Sequence, residues 1–157
     1  MSLDNIELNS ATQTVHPRGL SGKDLVNKYT SSNTREGLSV LKPVDNLSSP
    51  VNGVMLTGIG YVDGHLHVQI YYEDILKTDN HGSIALLNSG TGEMITCNGS
   101  ISFFDDAREG SYEDYIFTEI AADTLGDYEL YGDFVTSSGS VEGNWSVTFP
   151  LENTSDE

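Results

Sequence analysis

His65 and His67 stand two residues apart, just after the pair Asp63-Gly64 and ahead of His81. Alternate side chains of a strand project to one side, so the pair offers two imidazoles to one face. Zinc sites use that geometry when further nitrogen, sulfur or oxygen ligands converge on it. Two ligands do not make a site, however. Asp63 is explained by the turn it shares with Gly64, and the histidines serve equally well as polar side chains of an outward or intersheet face. Two acidic stretches, Asp79-Asn80-His81-Gly82 and Asp105-Asp106-Ala107-Arg108-Glu109, place carboxylates in loops of the kind Ca²⁺ favours. Neither follows the EF-hand order of ligands, and solvated turns account for both. His65, His67, Asp79, Asp105 and Asp106 are therefore the metal candidates, none completing a ligand set, and no cofactor is expected.

Catalytic signals are sparse. Acyl transfer needs a nucleophile beside a base, and glycoside hydrolysis needs two carboxylates across a cleft. The chain has no Gly-x-Ser-x-Gly elbow and no His-Glu-x-x-His. Its one cysteine, Cys97, lies in Thr-Cys-Asn-Gly without a local signature, reads as a strand-end residue, and excludes an internal disulfide. Tyr61, Tyr71, Tyr72 and Tyr131 could stack on a sugar, although tyrosines at alternating strand positions usually fill or edge a core. The expectation is a non-enzymatic protein.

The elements that would position these residues are strands. Val54 to Glu73 reads as a hairpin closed by Asp63-Gly64, because a two-residue loop with positive φ favours that pair. In its second arm Leu66, Val68 and Ile70 alternate with His65, His67 and Gln69, which separates an apolar face from one that meets water or a second layer. Further strands are expected at Leu38 to Leu41, Gly82 to Asn88, Glu93 to Thr96, Ile101 to Phe104, Tyr115 to Ile120, Tyr128 to Phe134 and Asn144 to Phe149. A first strand could run through Ile6, Leu8 and Val15. Lys23 to Tyr29 is the one place for a helical turn, and Pro43 to Pro50 reads as a loop.

About seven strands from Val54 onward, at the spacing of a sandwich or barrel, predict an all-β fold, preferably an antiparallel sandwich of seven to nine strands. Leu66, Val68, Ile70, Phe103, Phe117, Leu130, Trp145, Val147 and Phe149 would fill its core. At 157 residues the chain suits one domain.

Charge narrows the partners. The net charge of −17 lies wholly beyond residue 50, where nineteen acids face only Lys77 and Arg108, while residues 1–50 balance five acids against five bases. Such a surface repels phosphate backbones and anionic lipid heads, which argues against nucleic acid and against electrostatic membrane docking. No apolar run of membrane-spanning length and no signal-peptide pattern is present.

Three passages carry a resemblance: Gly58-Ile59-Gly60-Tyr61-Val62-Asp63-Gly64-His65-Leu66-His67-Val68-Gln69, Tyr112-Glu113-Asp114-Tyr115-Ile116-Phe117, and Leu130-Tyr131-Gly132-Asp133-Phe134 with Gly143-Asn144-Trp145-Ser146-Val147-Thr148-Phe149-Pro150-Leu151. Together they resemble a domain family of unknown function at the extracytoplasmic C-terminal end of membrane-anchored, anti-sigma-factor-like proteins of Gram-positive bacteria. The resemblance covers about residues 45–152. It implies an immunoglobulin-like β-sandwich outside the membrane, joined in a full-length parent to a membrane helix and to a cytoplasmic segment that holds a sigma factor. Sigma binding would belong to that absent region, leaving this chain a sensory or scaffolding domain whose partner is an unknown protein or wall ligand. The alternative is a cell-wall- or surface-associated module for glycan or calcium. On this reading residues 1–44 form an N-terminal strand and an irregular or linker segment packing on the domain, 45–152 the sandwich, and 153–157 a disordered tail.

Overall fold

The computed structural model describes the backbone of residues 12–15, and residues 38–45 and 47–136 in full. The expected first-strand residues Ile6 and Leu8, the Lys23 to Tyr29 turn, the Asn144 to Phe149 strand with Trp145, Val147 and Phe149, and the 153–157 tail lie outside the described residues.

The fold is all-β. Among the described residues ten strands occur: β1 (Thr12–Val15), β2 (Leu38–Leu41), β3 (Ser48–Val51), β4 (Val54–Val62), β5 (His65–Tyr72), β6 (His81–Asn88), β7 (Met94–Thr96), β8 (Gly99–Phe104), β9 (Ser111–Phe117) and β10 (Tyr128–Val135). A single turn of 3-10 helix, Leu125–Asp127, leads into β10. Five strands pair in the order β3-β4-β5-β9-β8 and three in the order β10-β6-β7, while β1 and β2 pair with each other as a separate ribbon. Every pairing is antiparallel.

The central hairpin forms as its sequence dictates. Asp63 (φ 51°) and Gly64 (φ 84°) both adopt positive φ, the requirement of the type I′ turn whose twist matches its flanking strands. From that turn the register runs Val62↔His65, Tyr61↔Leu66, Gly60↔His67, Ile59↔Val68 and Gly58↔Gln69, and then slips so that Leu56 faces Ile70. Thr57 is thus the extra residue of a β-bulge. The slip changes parity within β4, which is why Leu56 and Ile59 both reach the core although three residues separate them. It also leaves Gly58 and Gly60 opposite Gln69 and His67 on the other side of the sheet.

One apolar core joins the two larger sheets. Val54, Leu56, Ile59, Leu66, Val68 and Ile70 of the hairpin pack with Tyr115 and Phe117 of β9, Ile84 and Leu86 of β6, and Leu130 of β10. Removing each such side chain from water contributes roughly 1.5–3 kcal/mol, so this layer dominates stability. A second, smaller cluster lies on the opposite face of the five-stranded sheet, where Val40 of the ribbon meets Phe103, flanked by Ile101 and Tyr112.

Two expectations are corrected. Phe103 belongs to this second cluster and not to the main core, because it shares a face with Ile101 under the ribbon. The supposed loop Pro43 to Pro50 contains most of β3. Pro50 is tolerated there because β3 is the edge of its sheet, where a missing N–H costs no ladder bond.

Candidate functional site

The polar groups with chemical potential gather on the outer face of the five-stranded sheet, beneath β2. His67 on β5, Gln69 on β5, Asp114 on β9 and Thr57 at the β4 bulge are all buried. Gln69 and Asp114 are directly cross-strand, which brings a carboxamide beside a carboxylate. Asp114 Oδ2 accepts the Leu41 backbone N–H at 2.8 Å and lies 3.3 Å from Gln69 Nε2. His67 Nδ1 is 2.7 Å from Asp114 Oδ1; a carboxylate can only accept, so the imidazole N–H donates. Gln69 Nε2 also donates to the Leu41 carbonyl at 2.6 Å, and the Thr57 hydroxyl donates to Gln69 Oε1 at 3.0 Å.

The network reads main chain. Both backbone polar groups of Leu41 end on side chains of the sheet, and each of the four side chains has a partner in return. Buried polar groups of this kind are costly when unpaired and rigidifying when satisfied. Gly58 makes room for β2, since a Cβ built there would sit 3.1 Å from Leu41 Cδ1 and 3.5 Å from Gln69 Cβ.

This geometry separates the two histidines. His67 is buried on Asp114 while His65, one pleat nearer the turn, is exposed. The shared face therefore runs from water into a covered seam within two residues. Asp79 and His81 form an exposed pair of their own, with His81 Nδ1 3.1 Å from Asp79 Oδ1. Asp105 braces the β8–β9 loop: its Oδ1 accepts the Glu109 N–H at 3.0 Å, and its Oδ2 accepts the Gly110 N–H at 3.1 Å and the Tyr71 hydroxyl at 2.8 Å. Asp106, beside it, is exposed. Among the described residues no three His, Cys, Asp or Glu side chains come together in a way that could hold a metal ion.

The tyrosines are likewise dispersed. Tyr71 lies on the outer face against Tyr112, with ring centroids 4.7 Å apart, and burial followed by the bond to Asp105 drives its phenol upward. Tyr72 points into the core, where its hydroxyl is 2.7 Å from that of Tyr115. Burial pushes Tyr72 up to about 12 and Tyr115 higher still. Tyr115 further reaches the Gly82 carbonyl at 3.1 Å and Glu113 Oε2 at 3.0 Å. Tyr131 is exposed on the other sheet. Tyr61 packs against the main core, and the four rings thus form no common platform. Cys97 is half-buried, and burial, then the nearby Glu113 charge, raises its thiol, which lowers its thiolate fraction and reactivity.

Two hollows open among the described residues. A polar pocket of about 200 Å³ is lined by Asn52, Glu73, Asp74, Thr78 and Asn80. An apolar one of about 240 Å³ opens between Pro50, Leu56 and Ile70 on one sheet and Ile84, Leu130 and Phe134 on the other.

The sequence places His67 and Gln69 on the polar face of the hairpin but marks no site role for Asp114, Thr57 or Leu41. The available signal was Asp114 itself, an acid at the alternate position between Tyr112 and Ile116 on a strand otherwise rich in aromatic and aliphatic residues. No helix among the described residues is long and apolar enough to cross a membrane. No family model, no curated protein and no solved structure matches this chain.

Proposed function

We propose that this chain is a non-enzymatic, immunoglobulin-like sandwich that serves as an extracytoplasmic sensory or scaffolding domain of an anti-sigma-factor-like membrane protein. The observation that carries the non-enzymatic part is the use made of its buried polar groups. His67, Asp114, Gln69 and Thr57 are directed at one another and at the Leu41 main chain, an architectural role that leaves no group of the four aimed at a substrate cleft. Two antiparallel sheets around a common core support the sandwich, and the Gly58 to Gln69 hairpin carries the resemblance that gives it a setting.

The test is the full-length gene. The proposal expects one membrane-spanning helix and a short cytoplasmic region upstream, an adjacent sigma-factor gene, and altered sigma-dependent transcription when this domain alone is deleted from the parent. A signal peptide followed directly by this domain would overturn it.

The alternative, a wall- or surface-associated module for glycan or calcium, draws on the polar pocket bordered by the Glu73 and Asp74 side chains. A ligand that binds only the folded state must stabilise it. An EDTA-reversible rise in Tm at millimolar Ca²⁺, or a rise with wall polysaccharide, would favour this reading.

A further inference from the structure

We infer that the β1–β2 ribbon is a detachable strap, latched by Asp114 and Gln69 through the Leu41 main chain, which opens as a unit while the two-sheet body stays folded. The inference stands on the fold alone and does not depend on the sensory reading.

Ladder hydrogen bonds hold each of the two larger sheets together, but among the described residues β1 and β2 share a ladder only with each other. Opening the ribbon therefore breaks no ladder bond of the body. Among the residues whose side chains are described, its attachment lies at one end of β2: Leu38 and Ser39 are exposed, and Val40 and Leu41 are buried. Val40 rests on Phe103, and Leu41 is gripped at both its N–H and its C=O. Immediately beyond, the chain joins the body by main-chain bonds, from Val44 N to the Thr57 carbonyl and from Leu47 N to the Leu56 carbonyl, both 2.9 Å. The moving part consequently ends between Leu41 and Val44, at Lys42-Pro43.

The composition of the seam points the same way. An apolar seam of similar shape is commonly as stable as a buried charged one, or more so, and exposing it to water is penalised over its whole area. Here opening would hand Asp114, Gln69, His67, Thr57 and the Leu41 peptide groups to water, which solvates each of them. Recovery of those hydrogen bonds lowers the cost of separation, while the closed register is set by the buried Val40 and Leu41 side chains, the latter seated against Gly58. Local openings of this sort occur at free energies below that of global unfolding.

Amide hydrogen exchange by NMR on the full chain, over a series of low urea concentrations, tests it. The Leu41 amide is expected to exchange about 100-fold faster than those of Val68 and Phe117, with a weak urea dependence because little surface is exposed. Asp114→Asn should quicken Leu41 exchange about tenfold more, with Val68 and Phe117 still far slower; Gln69→Leu should act in the same direction. A lock supplies the converse. A Cβ built on Gly58 lies 3.3 Å from Leu41 Cβ, close to the roughly 3.8 Å of disulfides. In a Cys97→Ser background, oxidised Leu41→Cys/Gly58→Cys should slow exchange at residue 41 to the rate of the core, and reduction should restore it. One common rate and urea slope for Leu41, Val68 and Phe117 in the unaltered chain would overturn the inference. So would a disulfide that leaves the strap amides unchanged, or global unfolding by both latch variants.

Discussion

The two faces of the five-stranded sheet are built from the same strands and are both buried at their centre, yet they are held by opposite means. On the inner face Leu66 and Val68 of β5 meet Phe117 and Tyr115 of β9; on the outer face Gln69 meets Asp114. Val68 and Gln69 are adjacent in sequence and both 0% exposed. Burial therefore does not distinguish the faces; what covers them does. The inner face is covered by a second sheet whose apolar side chains need no particular partner, so its stabilisation scales with area. The outer face is covered by one end of a ribbon, and its polar groups stabilise only while each meets a specific atom of Leu41 or of its neighbours. One layer is tolerant and strong, and the other exacting and conditional.

The largest expected effect belongs to the inner face. Phe117→Ala should lower the unfolding free energy by about 3–5 kcal/mol, seen as a lower urea midpoint for the whole body. Asp114→Ala should cost less, about 2–3 kcal/mol, since it strands the Leu41 N–H and the His67 ring and removes one of the Gln69 amide's bonds, but its cost is capped once the ribbon lets go. That cap makes Asp114→Ala and Gln69→Leu non-additive, with a coupling of about 0.5–3 kcal/mol. Additive losses in the double variant would show that the two side chains act separately and would erase the contrast between the faces.

A third effect concerns the polar exception on the inner face, the Tyr72–Tyr115 hydroxyl pair. Burial raises both phenols, Tyr72 to about 12, against about 10 in an unfolded chain. A raised folded value means that the folded state holds the proton longer. The associated stability is therefore fully present below pH 10 and is lost as pH rises from there through about 12. Urea midpoints measured between pH 9 and pH 12 should fall, and Tyr72→Phe, with one fewer buried phenol, should make the fall shallower. An identical slope in that variant would assign the alkaline loss to other groups.

How much of this was legible follows from the same contrast. The inner face announces itself through alternation: Leu66, Val68 and Ile70 are core, and Asp63-Gly64 turns the chain as its residue types require. The outer face does not, because its residue types are those of a solvated surface. His65 and His67 look equivalent in sequence, yet one is exposed and the other is buried on Asp114 of a strand distant in the chain. The bulge at Thr57 erased the period-two pattern of β4 that would have assigned Leu56 and Ile59 to one face. Pro50 hid β3 because the edge position that excuses a proline is a property of the sheet and not of the segment. The latch was least legible of all: half of it is the Leu41 main chain, and every residue carries those same atoms.

The smallest effect tests whether the inner face is as indifferent to polar partners as the comparison holds. The Tyr61 hydroxyl is buried and has no hydrogen-bond partner among the described residues, although its ring packs on the core. Burial, then the charge of Asp123, raises its phenol. An unpaired buried hydroxyl is a net cost, so removing the oxygen and keeping the ring should be neutral or favourable. Tyr61→Phe is expected to raise the unfolding free energy by roughly 0.5–1 kcal/mol, measured as a higher urea midpoint at unchanged slope. A loss of similar size would mean that the inner face, too, is held in part by a specific polar contact, and the division between a tolerant face and an exacting one would have to be redrawn at Tyr61.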